Sequence, residues 1–572
     1  MITPDQLRKH SKKFVLDPTT MEFLTQAERE WPAVSARWAA HTVEKLLASY
    51  PQPTTLEPAE AGEYFTLLRQ ALEQDLRALV QSYPAVQWLW YLRRLPDLFE
   101  GELPTTGPYD RRLMELMATT STKSCPTLPH SDDGQIAFPI TDGVVRRVLR
   151  LAMTTIVLSD IHSRLRRAGK GMAFQAQPGH PLPINVPAPH LEEAIALYDQ
   201  RVAAFGAGLL GAGTQVLSKD HHEDDPLPVI AMTPLPAWQG LPSWQGPLDD
   251  GTPIVVWGRF APHGLSLGQL RNLLALSNPH AAWWQPQLPA LLALLQALSL
   301  YLLHYTSYGW LSLTRYGYVT LGRDLLTSYL AHVLPMLCSE LDTWFPGHHV
   351  TDPDTVLALL DALPVTTWPL TPPPVLHHAG PDIVVDLDAA TRHLLALCTI
   401  APEGQGPLVN IRAEHFEQTV QSLIDRSLWK PSPLAPRRGF KPRPHGQNVL
   451  TDFDSVGEDG DTLLLVSCKS RPYTGLYDAG DFRTVRNSVS LIEQSVAKWQ
   501  QVIRTLTEQP QGANYDLTRY RRILGVVCLP HTPYTPLGDA TQIIDTHPNG
   551  QTLRRACDYN ELAAWLNAAA VD

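Results

Sequence analysis

The stretch LLLVSCKS, residues 463–470, is an apolar run that ends at a serine, a cysteine and a lysine. Successive side chains of a β-strand point to opposite faces of the sheet. The run therefore predicts a buried strand on which Ser467 and Lys469 share one face while Cys468 points away into the core.

The segments on the N-terminal side of this strand predict an α/β unit around it. EHFEQTVQSLID (414–425) has apolar residues at helical spacing, and Glu417 lies beside that stripe. VLTDFDSV (449–456) predicts a second strand that carries Asp454. The turn GEDGD (457–461) then joins the two strands into a hairpin.

Pairing these two strands would gather several oxygen and nitrogen groups around one point. Carboxylate and carbonyl oxygens are the ligands that Mg²⁺ prefers, and Mn²⁺ accepts the same set. A bound ion would stabilise charge on a phosphate and acidify a water, which Lys469 could hold or help to activate. The groups in question are Asp454, Ser467, Lys469 and the backbone carbonyl of Cys468, with Glu417 on the helix and Asp452 as a further candidate metal ligand.

The order of a helix glutamate, a strand aspartate and then (D/E)-x-K, here with Ser467 at the acid position, resembles that of the PD-(D/E)XK nuclease superfamily, whose fold is that of restriction endonucleases. The resemblance covers about residues 405–545. It implies an α/β domain with a mixed central sheet and metal-dependent hydrolysis of phosphodiester bonds. It also implies that Glu417 matches the first-helix acid, Asp454 the metal-binding aspartate and Lys469 the motif lysine.

Ser467 departs from the family pattern, because the motif has an acid at this position. Some restriction enzymes of this fold have S-x-K and take the missing acid from a nearby helix, for which Asp481 and Glu493 are candidates here. Asp481 could instead cap its helix, and Glu417 with Asp454 could suffice alone. Two alternatives stay open: an active endonuclease, or a catalytically degenerate nuclease fold that serves as a binding or scaffold protein.

A basic segment, RRGFKPRPH (437–445), lies between the helix and the hairpin of a chain whose formal net charge is −11. That net charge argues against a protein that coats nucleic acid over its whole surface. Local positive charge beside a metal site is, however, what a phosphodiester substrate requires. We therefore expect nucleic acid, DNA rather than RNA, as the partner, with phosphate contacts from Arg437, Arg438, Lys441 and Arg443.

The 572 residues are too many for one ordinary core and predict two or three domains. Helical spacing predicts a mainly α region over residues 1–225 and a mixed, largely helical region over 226–380. The proline-rich run 366–381 predicts the linker to the nuclease-like domain, 381–572, which would open with the strand 382–388.

The six cysteines are far apart and form no CxxC pair, which favours reduced thiols in the cytoplasm over disulfides or a zinc cluster. The apolar segment 288–305 approaches the length of a membrane span. Polar residues interrupt it and no basic cluster flanks it, so we expect a buried core helix and no membrane attachment.

A nuclease joined to a large unrelated region suits an effector of bacterial defence against phage or plasmids, by analogy of context. The N-terminal region would then bind a protein partner or an activating ligand. A homo-oligomer is left open by the sequence.

Overall fold

The structure is a computed structural model of the chain. The predicted boundary at residues 225–226 lies outside the residues that it describes. Those residues are 18–94, 108–130, 136–211, 215–216, 227–234, 244–247, 253–256, 259–268, 270–271, 285–303, 307–343, 347, 350–399, 407–471, 474–548 and 550–568.

The N-terminal region is a bundle of helices closed by a small antiparallel sheet. Apolar residues at helical spacing, such as Leu68, Leu72 and Leu76, are buried in the bundle core. The elements are α1 (Pro18–Ser49), β1 (Thr55–Leu56), α2 (Pro58–Val80), α3 (Ala85–Arg94), α4 (Pro108–Thr119), α5 (Asp142–Gly169), β2 (Phe174–Gln175), β3 (Ile184–Asn185) and α6 (Pro189–Gly211).

The middle region combines short antiparallel sheets with helices around a second core. The sheets have the strand orders β4-β8-β5, β6-β7 and β10-β11-β9. Its elements are β4 (Gln215–Val216), β5 (Val229–Pro234), β6 (Trp244–Pro247), β7 (Pro253–Val256), β8 (Phe260–Leu265), α7 (Gln287–Leu303), α8 (Ser307–Tyr316), β9 (Tyr318–Gly322), α9 (Arg323–Asp342), α10 (Pro353–Asp361), β10 (Leu376–Ala379), β11 (Asp382–Asp386) and α11 (Leu387–Thr399).

Helix α7 is the centre of this second core, as predicted for the apolar segment 288–305. Leu291, Leu294 and Leu298 are fully buried, and α7 packs against α9, α10, α11 and β5. Residues 304–305 of the segment lie outside the described residues. Within the described parts of the chain, no helix has both the length and the apolar character needed to cross a membrane.

Residues 381–399 belong to the middle region, which corrects the predicted domain boundary. Strand β11 pairs along its whole length with β9, with Val384 opposite Thr320, and also with β10. Helix α11 packs on α7. The proline-rich run therefore lies within this region: its residues 376–379 form β10, and Trp368 contacts the ring of His162 in α5. An apolar strand pattern does not reveal its pairing partner, which here lies about 60 residues earlier.

The C-terminal region is an α/β unit built on a mixed four-stranded sheet of order β12-β13-β14-β17. Strands β12 and β13 are antiparallel, whereas β13, β14 and β17 run parallel to one another. The elements are α12 (Pro407–Asp425), β12 (Ser455–Asp459), β13 (Thr462–Cys468), α13 (Gly475–Ala479), α14 (Phe482–Glu508), β14 (Arg522–Leu529), a 3₁₀ helix (Asp539–Thr541), β15 (Ile543–Thr546), β16 (Thr552–Arg554), β17 (Ala556–Asp558) and α15 (Tyr559–Ala568).

Side-chain alternation along β13 divides the C-terminal core into two layers. Leu464, Val466 and Cys468 pack in the cluster beneath α12 and α15. Leu463 and Leu465 pack in the cluster beneath α14. The predicted alternation is thus confirmed, and the polar residues that follow Leu465 at intervals of two are directed to the α14 side.

Three cysteines that are distant in sequence lie side by side across the sheet. Cys468 pairs in register with Cys528, and Cys528 with Cys557. All six cysteines of the chain carry free thiols. Burial raises the pKa of the Cys468 and Cys528 thiols well above the usual value, so both are neutral packing groups at physiological pH.

The N-terminal helices pack directly on the C-terminal region. A Cβ atom on Gly169 would lie 1.8 Å from the carbonyl oxygen of Gly480, whose own φ is +87°, so this close approach requires glycine. Nearby, the buried Arg201 donates from Nε and Nη2 to both carboxylate oxygens of Glu561, each at 2.6 Å. This bidentate ion pair joins α6 to α15.

We expect Arg201→Ala to destabilise the protein by about 3 kcal/mol, because the Glu561 carboxylate would lose its partner in a partly buried position. Denaturant unfolding measures the effect. Arg504→Ala, which removes an exposed arginine on α14, is the matched control and should change stability by less than about 0.5 kcal/mol. Equal unfolding midpoints for the two variants would show that the pair does not hold the regions together.

Candidate active site

The hairpin β12–β13 begins later in the chain than predicted. Strand β12 spans Ser455–Asp459 and its two-residue turn is Gly460–Asp461, so most of the predicted strand 449–456 is not in the sheet. Phe453 instead exchanges backbone hydrogen bonds with the basic segment, accepting from Gly439 and donating to Phe440. Residues 457–459, predicted as turn, form the edge strand.

Register fixes which residues meet at the open end of this hairpin. Ser455 pairs with Val466 and Asp459 with Thr462, and the same register continued by one position places Asp454 opposite Ser467. Opposite residues of an antiparallel pair lie on the same face. Asp454 therefore lies on the same face of the sheet as Ser467.

Asp454 is the centre of the site that the structure brings together. Its Oδ2 accepts a 2.7 Å hydrogen bond from the backbone N–H of Cys468 and a 3.3 Å bond from the hydroxyl of Ser467. The Nζ of Lys469 lies 3.7 Å from the same oxygen. The backbone N–H of Lys469 donates to the carbonyl of Cys528 at 2.8 Å, which fixes the end of β13 against β14.

The backbone carbonyl of Cys468, a predicted metal ligand, faces the same edge as Asp454. In a β-strand the N–H and C=O of one residue point to the same side, and the N–H of Cys468 is bonded to Asp454. The Cys468 carbonyl therefore points toward the β12 side of the strand, at the level of Asp454, the residue just before β12.

Helix α12 brings Glu417 to this edge. The Ser455 hydroxyl donates to the backbone carbonyl of Glu417 at 3.1 Å. One turn later, the side-chain amide of Gln421 accepts from the N–H of Val456 and donates to its carbonyl, at 2.8 and 3.0 Å. Gln421 is a positioning residue that the sequence prediction missed, although its i,i+4 spacing from Glu417 placed both on one helix face.

Charges surround Glu417 and Asp454 on both sides. Burial raises the pKa of Asp454, Asp452 raises it further, and Lys469 opposes both. Burial and then Asp454 raise the pKa of Glu417, which is opposed by Arg438, 3.2 Å away. Asp452 is exposed but close enough to act on both acids. The site thus carries concentrated negative charge that two cations offset only in part.

The two proposed substitute acids belong to α14, Asp481 at its N-cap and Glu493 on its exposed face. Asp481 is the N-cap of α14: its carboxylate accepts from the backbone N–H and the hydroxyl of Thr484, at 2.8 and 2.7 Å. Glu493 is exposed on α14 and contacts neither Asp454 nor Ser467 in the described structure. The cap was one of the two alternatives for Asp481, and it is the one observed.

The donor set matches a hard cation with few protein ligands. In the described part of the chain, no group of three or more His, Cys, Asp or Glu side chains is arranged to hold a metal ion. Mg²⁺, however, keeps several waters and is often held by one or two carboxylates. Glu417 and Asp454 fit that role, with the Cys468 carbonyl and the Ser467 hydroxyl as further oxygens; burial first, and then neighbouring carboxylates, raise the pKa of both acids.

The basic segment is fixed beside the site by backbone contacts. Asn514 donates to the carbonyl of Lys441 at 2.9 Å and accepts from the N–H of Arg443 at 2.7 Å. Arg437, Lys441 and Arg443 are exposed, whereas Arg438 turns inward to Glu417. Three of the four predicted phosphate-binding cations are therefore presented to solvent on an ordered segment.

Comparison of the chain with protein-family models, with curated proteins and with solved structures yields no match. The chemistry of the site therefore follows from its own geometry. That geometry consists of two carboxylates of raised pKa, an amine 3.7 Å from one of them, and exposed cations along one side.

We expect Asp454→Asn to raise thermal stability in metal-free buffer at neutral pH. Because the pKa of Asp454 is raised on folding, the native state binds this proton more tightly than the unfolded chain. The free energy of unfolding therefore falls as the pH rises through that pKa. Asparagine does not ionise and so removes this loss, and its side-chain oxygen can still accept the hydrogen bond from the N–H of Cys468. The gain should shrink as the pH is lowered, as measured by thermal unfolding.

The same variant tests for the cation. At about 100 times its dissociation constant, Mn²⁺ should stabilise the wild type by about 2.7 kcal/mol and Asp454→Asn far less. Asp459→Asn, an exposed acid on the same strand, is the control. Equal stabilisation of all three proteins by Mn²⁺ would place the ion elsewhere.

Proposed function

We propose that the C-terminal region is a PD-(D/E)XK, restriction-endonuclease-like domain and that the protein is a metal-dependent endonuclease, with DNA as the favoured substrate. One observation carries the proposal. The Asp454 carboxylate, held by the N–H of Cys468, lies 3.7 Å from the Lys469 amine at the open end of a hairpin whose edge also carries Glu417.

The order of elements supports the assignment to this fold. A helix with an acid, a hairpin with an aspartate and x-x-Lys, a long helix and a parallel strand follow one another as α12, β12–β13, α14 and β14. The aspartate and the lysine meet at one point although 15 positions separate them. A chance apolar strand that ends in lysine would not require this convergence.

The roles of the side chains follow from their contacts. Glu417 and Asp454 would hold the divalent ion, which when bound supplies positive charge to the phosphodiester and acidifies a water. Lys469, with its side chain 40% exposed, can reach solvent on one side and Asp454 on the other. It would orient the attacking water and stabilise the negative charge that develops on the phosphate. Ser467 keeps Asp454 aligned through its hydroxyl.

The rest of the chain would regulate this activity. The helical N-terminal region would bind a protein partner or an activating ligand in an effector of antiviral defence that acts in the cytoplasm. This regulatory role is supported by the direct packing of the N-terminal helices on the C-terminal region, through the Gly169–Gly480 approach and the Arg201–Glu561 pair.

Plasmid cleavage in Mg²⁺ or Mn²⁺ tests the proposal. Lys469→Ala should lower the cleavage rate by about 10²–10⁴-fold, the usual contribution of a positioned acid or base. Lys498→Ala, an exposed lysine on α14, should cleave like the wild type, and EDTA should stop both. If wild type and Lys469→Ala are equally inert in the presence of a binding partner, the degenerate scaffold is the correct alternative.

The basic segment should govern DNA affinity through electrostatics. In an Asp454→Asn background, the combined substitution of Arg437, Lys441 and Arg443 by alanine should reduce the slope of log affinity against log salt by about 3, because each phosphate contact contributes about 0.9. Fluorescence anisotropy with a labelled duplex measures this slope. Replacing Arg486, Lys498 and Arg504 on α14 removes the same charge, and an equal reduction by that control would mean that the segment is not the DNA-binding surface.

A further inference from the structure

Arg412, on the first turns of α12, is a buried cation that has no acidic partner among the residues that the structure describes. Its residue surface is 8% exposed, and its Nε donates to the hydroxyl of Ser470 at 3.1 Å. The Nη1 group is buried and makes no hydrogen bond. In the described part of the chain, no carboxylate oxygen lies within 4.0 Å of the guanidinium nitrogens.

The other buried arginines of the described chain are neutralised within the protein. Arg93, 3% exposed, forms ion pairs with Glu115 at 2.6 Å and with Asp386 at 3.1 Å. Arg201, 7% exposed, is paired with Glu561. A buried guanidinium without a counterion is costly, so the absence of an acid at Arg412 among the described residues favours a bound anion as its counterion.

The fold places this guanidinium beside the candidate active site. Helix α12 runs along β12, with Glu417 next to Ser455 and Gln421 next to Val456. Arg412 precedes Glu417 by five residues, which is about 7.5 Å along the helix axis. It therefore extends past the start of β12 to the end of β13, where its partner Ser470 directly follows Lys469 in sequence.

The chemistry of the side chain selects the ligand. A guanidinium is planar and always charged, and its parallel N–H groups match two oxygens of a phosphate or carboxylate. The Nη1 group is the part of Arg412 left without a partner. A tetrahedral oxyanion would supply the missing charge, and because Nη1 is covered by protein atoms, it would accept the missing hydrogen bond only after the side chain moves.

We propose that Arg412 binds a phosphodiester group of the substrate strand next to the one that is cleaved, so that the strand is held on the far side of Lys469 from the basic segment. This inference rests on the proposed nuclease function and adds a substrate-positioning residue to it. Arg412 acts by orienting the strand, and the acids at the hairpin end keep their roles.

Two measurements on the full-length protein test this inference. In the first, inorganic phosphate is added in thermal unfolding experiments without divalent ions. Phosphate should raise the unfolding temperature of the wild type and of Arg504→Gln, but not that of Arg412→Gln. Without phosphate, Arg412→Gln should be at least as stable as the wild type, because a buried unpaired charge has been removed.

In the second, a labelled duplex is titrated in an Asp454→Asn background. Arg412→Gln should weaken binding about tenfold, the usual effect of losing one charge-assisted hydrogen-bond pair. Arg412→Lys should recover part of this loss, because it keeps the charge without the planar fork. If Arg412→Gln does not fold, the duplex affinity of Arg412→Lys is compared with that of the protein with Arg412 instead.

The outcomes separate this inference from the proposed function. If both Arg412 variants bind the duplex as tightly as the protein with Arg412, the inference is overturned. This holds even if stabilisation by free phosphate depends on Arg412. If both variants are less stable than the wild type and phosphate stabilises them as much as the wild type, the inference is overturned and Arg412 has a structural role. If the wild type cleaves no DNA while phosphate and duplex binding depend on Arg412, the nuclease proposal fails and the anion site stands.

Discussion

The hydrogen bond from the backbone N–H of Cys468 to the carboxylate of Asp454 is the contact on which the site depends. It lies where β12 has not yet begun, so a side-chain oxygen takes the place of a backbone acceptor. This bond, with the register of the hairpin, fixes the carboxylate 3.7 Å from Lys469. A slip of one residue would turn Asp454 to the opposite face.

Charge around this point is balanced only in part by the protein itself. Lys469 lies near Asp454 and Arg438 near Glu417, yet burial and then neighbouring carboxylates still raise the pKa of both acids. On the other side, Arg412 is buried and, in the described part of the chain, has no carboxylate oxygen within 4.0 Å. In the proposed substrate complex, a divalent cation would neutralise the acids along this edge, and phosphates would neutralise the guanidinium.

Local patterns were predicted from the sequence more reliably than partner choice. The alternation along residues 463–469 is a local property and is observed as expected. The strand 382–388 was assigned to the wrong region, because its partner is distant in the chain. Residues 457–459 of the edge strand were predicted as a turn; in the structure Glu458 in this strand pairs with Arg519, far downstream in the chain. Burial of Arg412 without an acid has no signature in the sequence.

Anomalous diffraction from crystals of the full-length protein soaked in Mn²⁺ is the most direct test of the central claim. The account predicts a peak at coordination distance, about 2.1 Å, from carboxylate oxygens of both Asp454 and Glu417, adjacent to the Lys469 amine. A Mn²⁺ peak elsewhere in the molecule, with these two carboxylates free of metal at saturating concentration, would contradict it.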